Sequence, residues 1–237
     1  MIDQAIILAA GLGTRMRPLT NSTPKPLIKV CSKTLIDHKI AAAKRVGIRK
    51  LVVNVHYLAD QMERHLSQIH DIEIIISDER RQLMNSGGGI KKALPFLDNK
   101  EFYVLNSDAF WHGDIISNLQ SLADSWNDEQ MDILMGLAHR ENSVGFPGHG
   151  DFFKDDTGAL TRRDNAPSAP FAFSGDYILH PAMFDDTPDT PFSANILFDK
   201  AIKNARLKGL ALQGLWLHVG TPQSIVDAEH AIALHAG

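Results

Sequence analysis

The sequence predicts an α/β domain with a mainly parallel sheet and helices on both faces. Three observations carry this. Short apolar runs alternate with segments of helical spacing between residues 4 and 138. Glycines follow the first apolar run, at the strand end where such sheets take ligands. The same alternation returns at residue 171, after a stretch of different composition.

Taken in order, "QAIILAA" (4–10) is a short apolar run ended by glycine, as a buried strand is. Residues 34–46 set Leu35, Ile36, Ile40, Ala43 and Val46 near helical spacing, with Gly47 as the stop. "KLVVNV" (50–55) is a second strand, residues 58–69 a second helix, and "IEIIIS" (72–77) a third strand. "GIKKALPFL" (89–97) reads as a helix that follows three glycines. "EFYVLNSDAF" (101–110) reads as a fourth strand running into polar residues. A helix at 114–126 and a strand at 132–138 follow. Residues 140–170 are rich in Gly, Pro, Asp and Asn, which suits the loops and short strands of a lobe. "FAFSGDYIL" (171–179), a helix near 192–207 and "LALQGLWLHVG" (210–220) restore the core pattern. A last helix, 222–235, opens with Pro222 at a favoured first-turn position. No internal repeat or low-complexity tract interrupts the chain. It therefore reads as one domain over 1–237, with a small acceptor lobe at about 139–190.

Bulk properties narrow the class. A chain of 237 residues buries a sizeable core without disulfides. Its net charge of -4 disfavours a nucleic-acid partner. The one cysteine, Cys31, has no partner for an internal disulfide, which fits a reducing compartment. No apolar run approaches the ~20 residues of a membrane span. The first residues lead straight into "QAIILAAG" with no basic region ahead of it. The expectation is a cytoplasmic protein with small-molecule partners and no membrane partner. The oligomeric state is not legible.

"AAGLGTRMRP" (9–18) fits neither common phosphate loop, since the dinucleotide and Walker patterns would both need glycine at Met16. The stretch continues as "LTNSTPKPL". Glycines let backbone N–H groups approach phosphate oxygens. Arg15 can fork onto phosphate, and Lys25, held extended between Pro24 and Pro26, can act as a point charge. Asp108 follows Asn106 and Ser107 at a strand end. A carboxylate there suits Mg²⁺ bridging phosphate oxygens, with a helix N-cap as the alternative.

The run "LAAGLGTRMRPLTNSTPKPLIKV" resembles the signature loop of sugar-1-phosphate nucleotidyltransferases, L-A-A-G-x-G-T-R-x-x-P-x-T…P-K-P. "NSGGGIKKALPFL", "FYVLNSDAFW", "GHGDF", "FAFSGDYILHPAMF" and "LWLHVGTPQSI" resemble further blocks of the family, in order. They are most similar to its short branch that uridylylates N-acetylmuramate 1-phosphate. The resemblance implies a Rossmann-like nucleotide-diphospho-sugar transferase fold. It also implies Mg²⁺, a nucleoside triphosphate and a sugar 1-phosphate, with release of pyrophosphate. Carried onto this chain, it implies catalysis by Arg15, Lys25 and Asp108. Nucleotide contacts would come from Ala10, Gly11, Leu12, Gly13, Thr14, Arg15, Lys25, Gln82, Gly87 and Gly88. Acceptor contacts would come from Asn106, Asp151, Ser174 and Gly175, and metal ligation from Asp108. His218 departs from the pattern, because many members carry aspartate there as a second metal ligand. Four roles stay open for it: a bystander to Asp108, a ligand of acceptor phosphate, a ligand of a softer cation, or a structural ring. Arg140, Arg162 and Arg163 are unranked candidates for an acceptor carboxylate. Other pairs also stay open: mannose 1-phosphate with GTP, glucose 1-phosphate with dTTP or UTP, and phosphocholine with CTP. So does a non-catalytic nucleotide-sugar-binding module.

Overall fold

The structure, a computed structural model, describes residues 2–113 and 115–235. Its strands are β1 (Gln4–Leu8), β2 (Lys29–Val30), β3 (Lys33–Thr34), β4 (Lys50–Val55), β5 (Glu73–Asp78), β6 (Phe102–Asn106), β7 (Ala109–His112), β8 (Ile133–His139), β9 (Ser143–Val144), β10 (Phe152–Lys154), β11 (Leu160–Arg162), β12 (Phe171–Leu179), β13 (Leu207–Ala211) and β14 (Leu215–His218). The helices are α1 (Leu35–Arg45), α2 (Ala59–Leu66), α3 (Asn85–Ala93), α4 (Ile115–Ser125), α5 (Asn195–Lys203) and α6 (Pro222–His235).

Seven strands lie in the order β5-β4-β1-β6-β12-β8-β13. All neighbours are parallel except at β12, which runs against both β6 and β8. The short strands β10 and β11 join the start of β12 and form the base of the lobe. The register of β12 against β8 shifts between Phe173 and Tyr177, which bends the strand beside the site. The mixed, mainly parallel sheet is therefore as expected.

Successive residues of a strand face opposite sides, so one strand serves two cores. Ile7 and Val53 pack with Ile36 and Trp216 on one face. Ile6 and Val52 pack with Val104 and Tyr177 on the other. Strands covered on both faces read as continuous apolar runs rather than alternating ones. Each such side chain contributes about 1.5–3 kcal/mol by leaving water. The first helix forms where its signals place it. Thr34 caps it, its Oγ1 accepting from Asp37 N–H at 3.2 Å, and Gly47 at φ +84° ends it.

Three expectations need correction. The fourth strand is two. β6 stays in the large sheet as far as Asn106, and Ser107 then donates from both its amide and its hydroxyl to Leu8 O (3.3 and 2.7 Å). That turn sends β7 away to a second sheet, β7-β14-β9. The segment 210–220 divides for the same reason, at a turn with Gly214 at φ +91°. β13 lies beside β8, whereas β14 pairs with β7. Finally, the three glycines do not precede α3 but lie inside it. Their intrinsic cost of about 1 kcal/mol each is offset by packing described below. The expected start of the fourth helix, at 114, lies outside the described residues. No helix among the described residues is long and apolar enough to cross a membrane.

Candidate active site

The loop after β1 is pinned at both ends and exposed between them. Met16 is fully buried and anchors the one-turn helix Thr14–Met16. Gly13 adopts φ +62°, and a Cβ there would stand 3.0 Å from both Lys25 Cβ and Thr20 Cγ2. Only glycine satisfies both the left-handed backbone and that approach. Thr20 Oγ1 closes the turn by donating to Gly13 O at 2.8 Å. Arg15 thus projects outward from a fixed base. Lys25 is fixed differently from the expected extended run. Pro24 is extended, but Lys25–Leu27 forms a tight turn in which Leu27 N–H donates to Pro24 O at 2.9 Å. Both flanking prolines are buried, so the turn is anchored.

These segments line a cavity of about 620 Å³ at the carboxyl ends of the parallel strands. Of the expected residues, Ala10, Gly11, Gly13, Thr14, Arg15, Lys25, Asn106 and Asp108 line it. Lys25 Nζ donates to Asp108 Oδ2 at 2.8 Å, joining two motifs 83 residues apart. Enclosure by protein pushes the Asp108 carboxyl up. The Lys25 and His218 charges outweigh this and hold it below the usual carboxylate range.

The second sheet brings His218 to this place. In its register His218 stands opposite Ala109, and Val219 N–H donates to Asp108 O at 2.8 Å. His218 Nε2 lies 3.9 Å from Asp108 Oδ2, and Nδ1 lies 3.1 Å from Gly145 O. Beneath them lies a buried pair, Lys39 with Asp176, on α1 and β12. Burial pushes the Asp176 carboxyl above its ordinary range against the pull of the Lys39 ammonium.

Other expected residues take different places. Leu12 and Gln82 are exposed and do not line the cavity. Gly87 and Gly88 are buried, and their amides donate to Phe192 O at 2.9 and 3.1 Å. A Cβ on Gly87 would meet the Phe192 ring at 2.4 Å. The glycines therefore hold residues 190–194 against α3, and Leu83, Asn85, Ser86 and Pro191 form the cavity wall instead. Asp151 ties the lobe to β12, its Oδ2 accepting from Phe173 N–H at 2.9 Å. Ser174 and Gly175 lie buried below the cavity floor. Gly175, at φ +86°, lets Asn106 pack where a Cβ would come within 2.8 Å of it. Arg162 pairs with Asp199 and so ties the lobe to α5, and Arg163 donates to Gly150 O and Ala166 O within the lobe. Arg140 is exposed.

Sequence reasoning missed two buried cavity residues, Asn54 and Glu79. The signal for Asn54 was there: a polar residue in "KLVVNV", near the carboxyl end of an otherwise apolar strand. Glu79 follows the end of β5 and carries no such mark.

Among the described residues, no three His, Cys, Asp or Glu side chains gather as a metal-binding group. Asp108 and His218 together offer one carboxylate and one imidazole. A divalent cation fits there if phosphate oxygens and water complete its shell.

A strand-end glycine loop with a buried anchor, a lysine–carboxylate pair and a cavity of this size define a nucleotide-handling enzyme. The chain belongs to the nucleotidyl transferase family, whose model matches residues 4–234. It is 41% identical over 233 residues to the N-acetylmuramate alpha-1-phosphate uridylyltransferase of Caulobacter vibrioides, covering 97% of this chain and 96% of that one. It is 33% identical over 230 residues to the enzyme of the same name from Neisseria meningitidis serogroup B, covering 95% and 96%. In fold it resembles the inositol-1-phosphate CTP transferase of T. maritima, with a TM-score of 0.79 at 14% identity over 98% of this chain and 96% of that one.

Proposed function

We propose that this enzyme joins UTP and N-acetylmuramate 1-phosphate into UDP-N-acetylmuramate and pyrophosphate. Likeness to two uridylyltransferases of that name over nearly the whole chain supports the choice of substrates. The Lys25–Asp108 pair on the cavity wall supports the chemistry.

In this reading an oxygen of the sugar phosphate attacks the α-phosphorus of UTP. A new P–O bond forms, the bond to the β-phosphate bridge breaks, and pyrophosphate leaves with its electron pair. No protein nucleophile is needed, so catalysis is positioning and charge neutralisation. Loop amides from Ala10 to Thr14, with Arg15, hold the terminal phosphates. Lys25 turns from Asp108 to the α-phosphate as charge grows there. Asn106, set on Gly175, orients the acceptor. Asp108, kept ionised by its neighbours, would hold Mg²⁺ or another divalent cation, which neutralises triphosphate charge when bound. The wall at Leu83, Asn85 and Ser86 faces the base. A reaction that consumes a nucleoside triphosphate belongs in the cytoplasm, where it would return a cell-wall sugar to nucleotide-sugar form.

The test is pyrophosphate release with each of UTP, CTP, GTP, ATP and dTTP against N-acetylmuramate, N-acetylglucosamine, glucose and mannose 1-phosphates and phosphocholine. The expected result is preference for UTP with N-acetylmuramate 1-phosphate. A better rate with any other pair, or none with all, overturns the assignment.

A further inference from the structure

We infer that His218 is a nitrogen ligand to the divalent cation at Asp108, so that the site selects a transition-metal ion over Mg²⁺. This rests on the nucleotidyl-transfer reading only for its third ligand, the triphosphate.

The ring is held in one orientation. Its Nδ1 lies 3.1 Å from the carbonyl oxygen of Gly145. A carbonyl only accepts, so Nδ1 carries the proton. A cation that displaces the ring's other proton finds the lone pair on Nε2, the arrangement found in metal-binding histidines whose other nitrogen donates to a carbonyl. Gly145 makes that contact possible: at φ +74°, a Cβ on it would collide with His218 O at 2.2 Å. Packing fixes the ring further. Trp216 stacks near it with centroids 5.8 Å apart and an interplanar angle of 28°, and Phe146 meets it edge-on at 6.3 Å. On a third side Gly220 lies so close that a Cβ would stand 2.8 Å from His218 Cε1. Only 16% of the side chain is exposed.

The free nitrogen faces the carboxylate. Nε2 and Asp108 Oδ2 are 3.9 Å apart, too far for a hydrogen bond. That separation is less than two metal–ligand bonds of about 2.0–2.2 Å end to end, so one ion reaches both once Lys25 Nζ, 2.8 Å from the same oxygen, turns to the triphosphate. The two positions cannot drift apart, because the backbone bond from Val219 N–H to Asp108 O ties them. Mg²⁺ is a hard ion that takes oxygen. Imidazole favours the first-row transition ions, whose affinities rise from Mn²⁺ toward Cu²⁺.

The test uses the full chain with α,β-methylene-UTP, which does not turn over. Mn²⁺ is bound and read by pulsed electron paramagnetic resonance, and Co²⁺ and Mg²⁺ affinities are measured by calorimetry. The expected result is nitrogen modulation of the Mn²⁺ signal that changes to the ¹⁵N pattern when histidine is ¹⁵N-labelled in the unmodified protein. In His218→Asp, which offers oxygen in place of nitrogen, the modulation is lost. Loss of an outer partner of a metal-bound histidine alone costs about 10–100-fold, so the Co²⁺/Mg²⁺ affinity ratio should fall by roughly tenfold or more. Absence of nitrogen modulation in the unmodified protein, or an unchanged ratio in a folded His218→Asp protein, overturns the inference. The readout needs no turnover, so a different preferred sugar or triphosphate in the release assay leaves it intact.

Discussion

Asn54 Nδ2 donates to Glu79 Oε1 at 2.8 Å inside the protein, between a residue of β4 and one just past the end of β5, where Glu79 N–H donates to Val55 O. Each end of this bond reaches further. Asn54 Oδ1 accepts from Ala9 N–H at 2.6 Å, and Glu79 Oε2 accepts from Met84 N–H at 2.9 Å. One polar chain thus joins the loop after β1 to the opposite cavity wall. Glu79→Ala orphans two donors within the protein and should cost about 2–4 kcal/mol. It should also raise KM for the triphosphate more than it lowers kcat, because both walls of the cavity lose their tie. Glu79→Gln keeps one acceptor but turns an amide N–H₂ toward a donor, and should fall between. Urea unfolding and steady-state kinetics check this; an Ala variant as stable as the parent contradicts it.

Lys25 contributes differently. Its ion pair with Asp108 is partly open to solvent, with side-chain exposures of 12% and 29%. Removing the lysine from a pair still this enclosed leaves the carboxylate without its partner and costs about 1–3 kcal/mol. Lys25→Met should therefore unfold at a lower urea concentration than the parent while still folding. If Lys25 neutralises growing charge on the α-phosphate, kcat should fall by about 10²–10³. Full turnover by a folded Lys25→Met protein removes that role.

His38 gives the protein a pH dependence away from the site. Its ring stacks on Phe110 at 4.0 Å, and Nε2 lies 3.4 Å from Val30 O. Burial lowers its pKa to about 4. The Val30 carbonyl and Asp37 oppose this, while Lys33 and Lys39 add to it. Between about pH 6.5 and pH 4 the unfolded chain takes up a proton that the folded chain refuses. Stability from this group is therefore complete above that window and is lost as pH falls through it. Between pH 7.5 and 5 the loss should be about 1–2 kcal/mol. In His38→Phe, which keeps a ring against Phe110, urea unfolding at the two pH values should differ by that much less. An equal difference in both proteins refutes the assignment.

The parts of the molecule legible in the sequence are those whose signals are local. The capped helix α1 and the apolar strand β1 carry their own start and stop residues, and Gly13, Arg15 and Lys25 fall within one continuous loop. What the sequence could not show depends on residues far away along the chain. Glycine is a poor helix former, so "NSGGG" reads as a turn before a helix. It becomes a helix because Phe192, about a hundred positions later, occupies the space that side chains would fill. The split of 101–110 likewise depends on β14, which offers β7 a partner outside the large sheet. Asp151 shows the same limit: nothing local to its loop block reveals that Phe173 N–H, on a distant strand, donates to one of its carboxylate oxygens.

The small sheet β7-β14-β9 has a consequence for how the enzyme is made. Every strand of the large sheet has been supplied by Ala211, where β13 ends. His218, the neighbour of Asp108, arrives seven residues after that strand, on β14. During synthesis the large sheet is therefore complete in content before His218 emerges. A chain stalled or clipped between the two strands keeps every strand of the large sheet, yet lacks the residue that faces Asp108. The residue that faces Asp108 is thus made only after every strand of the large sheet.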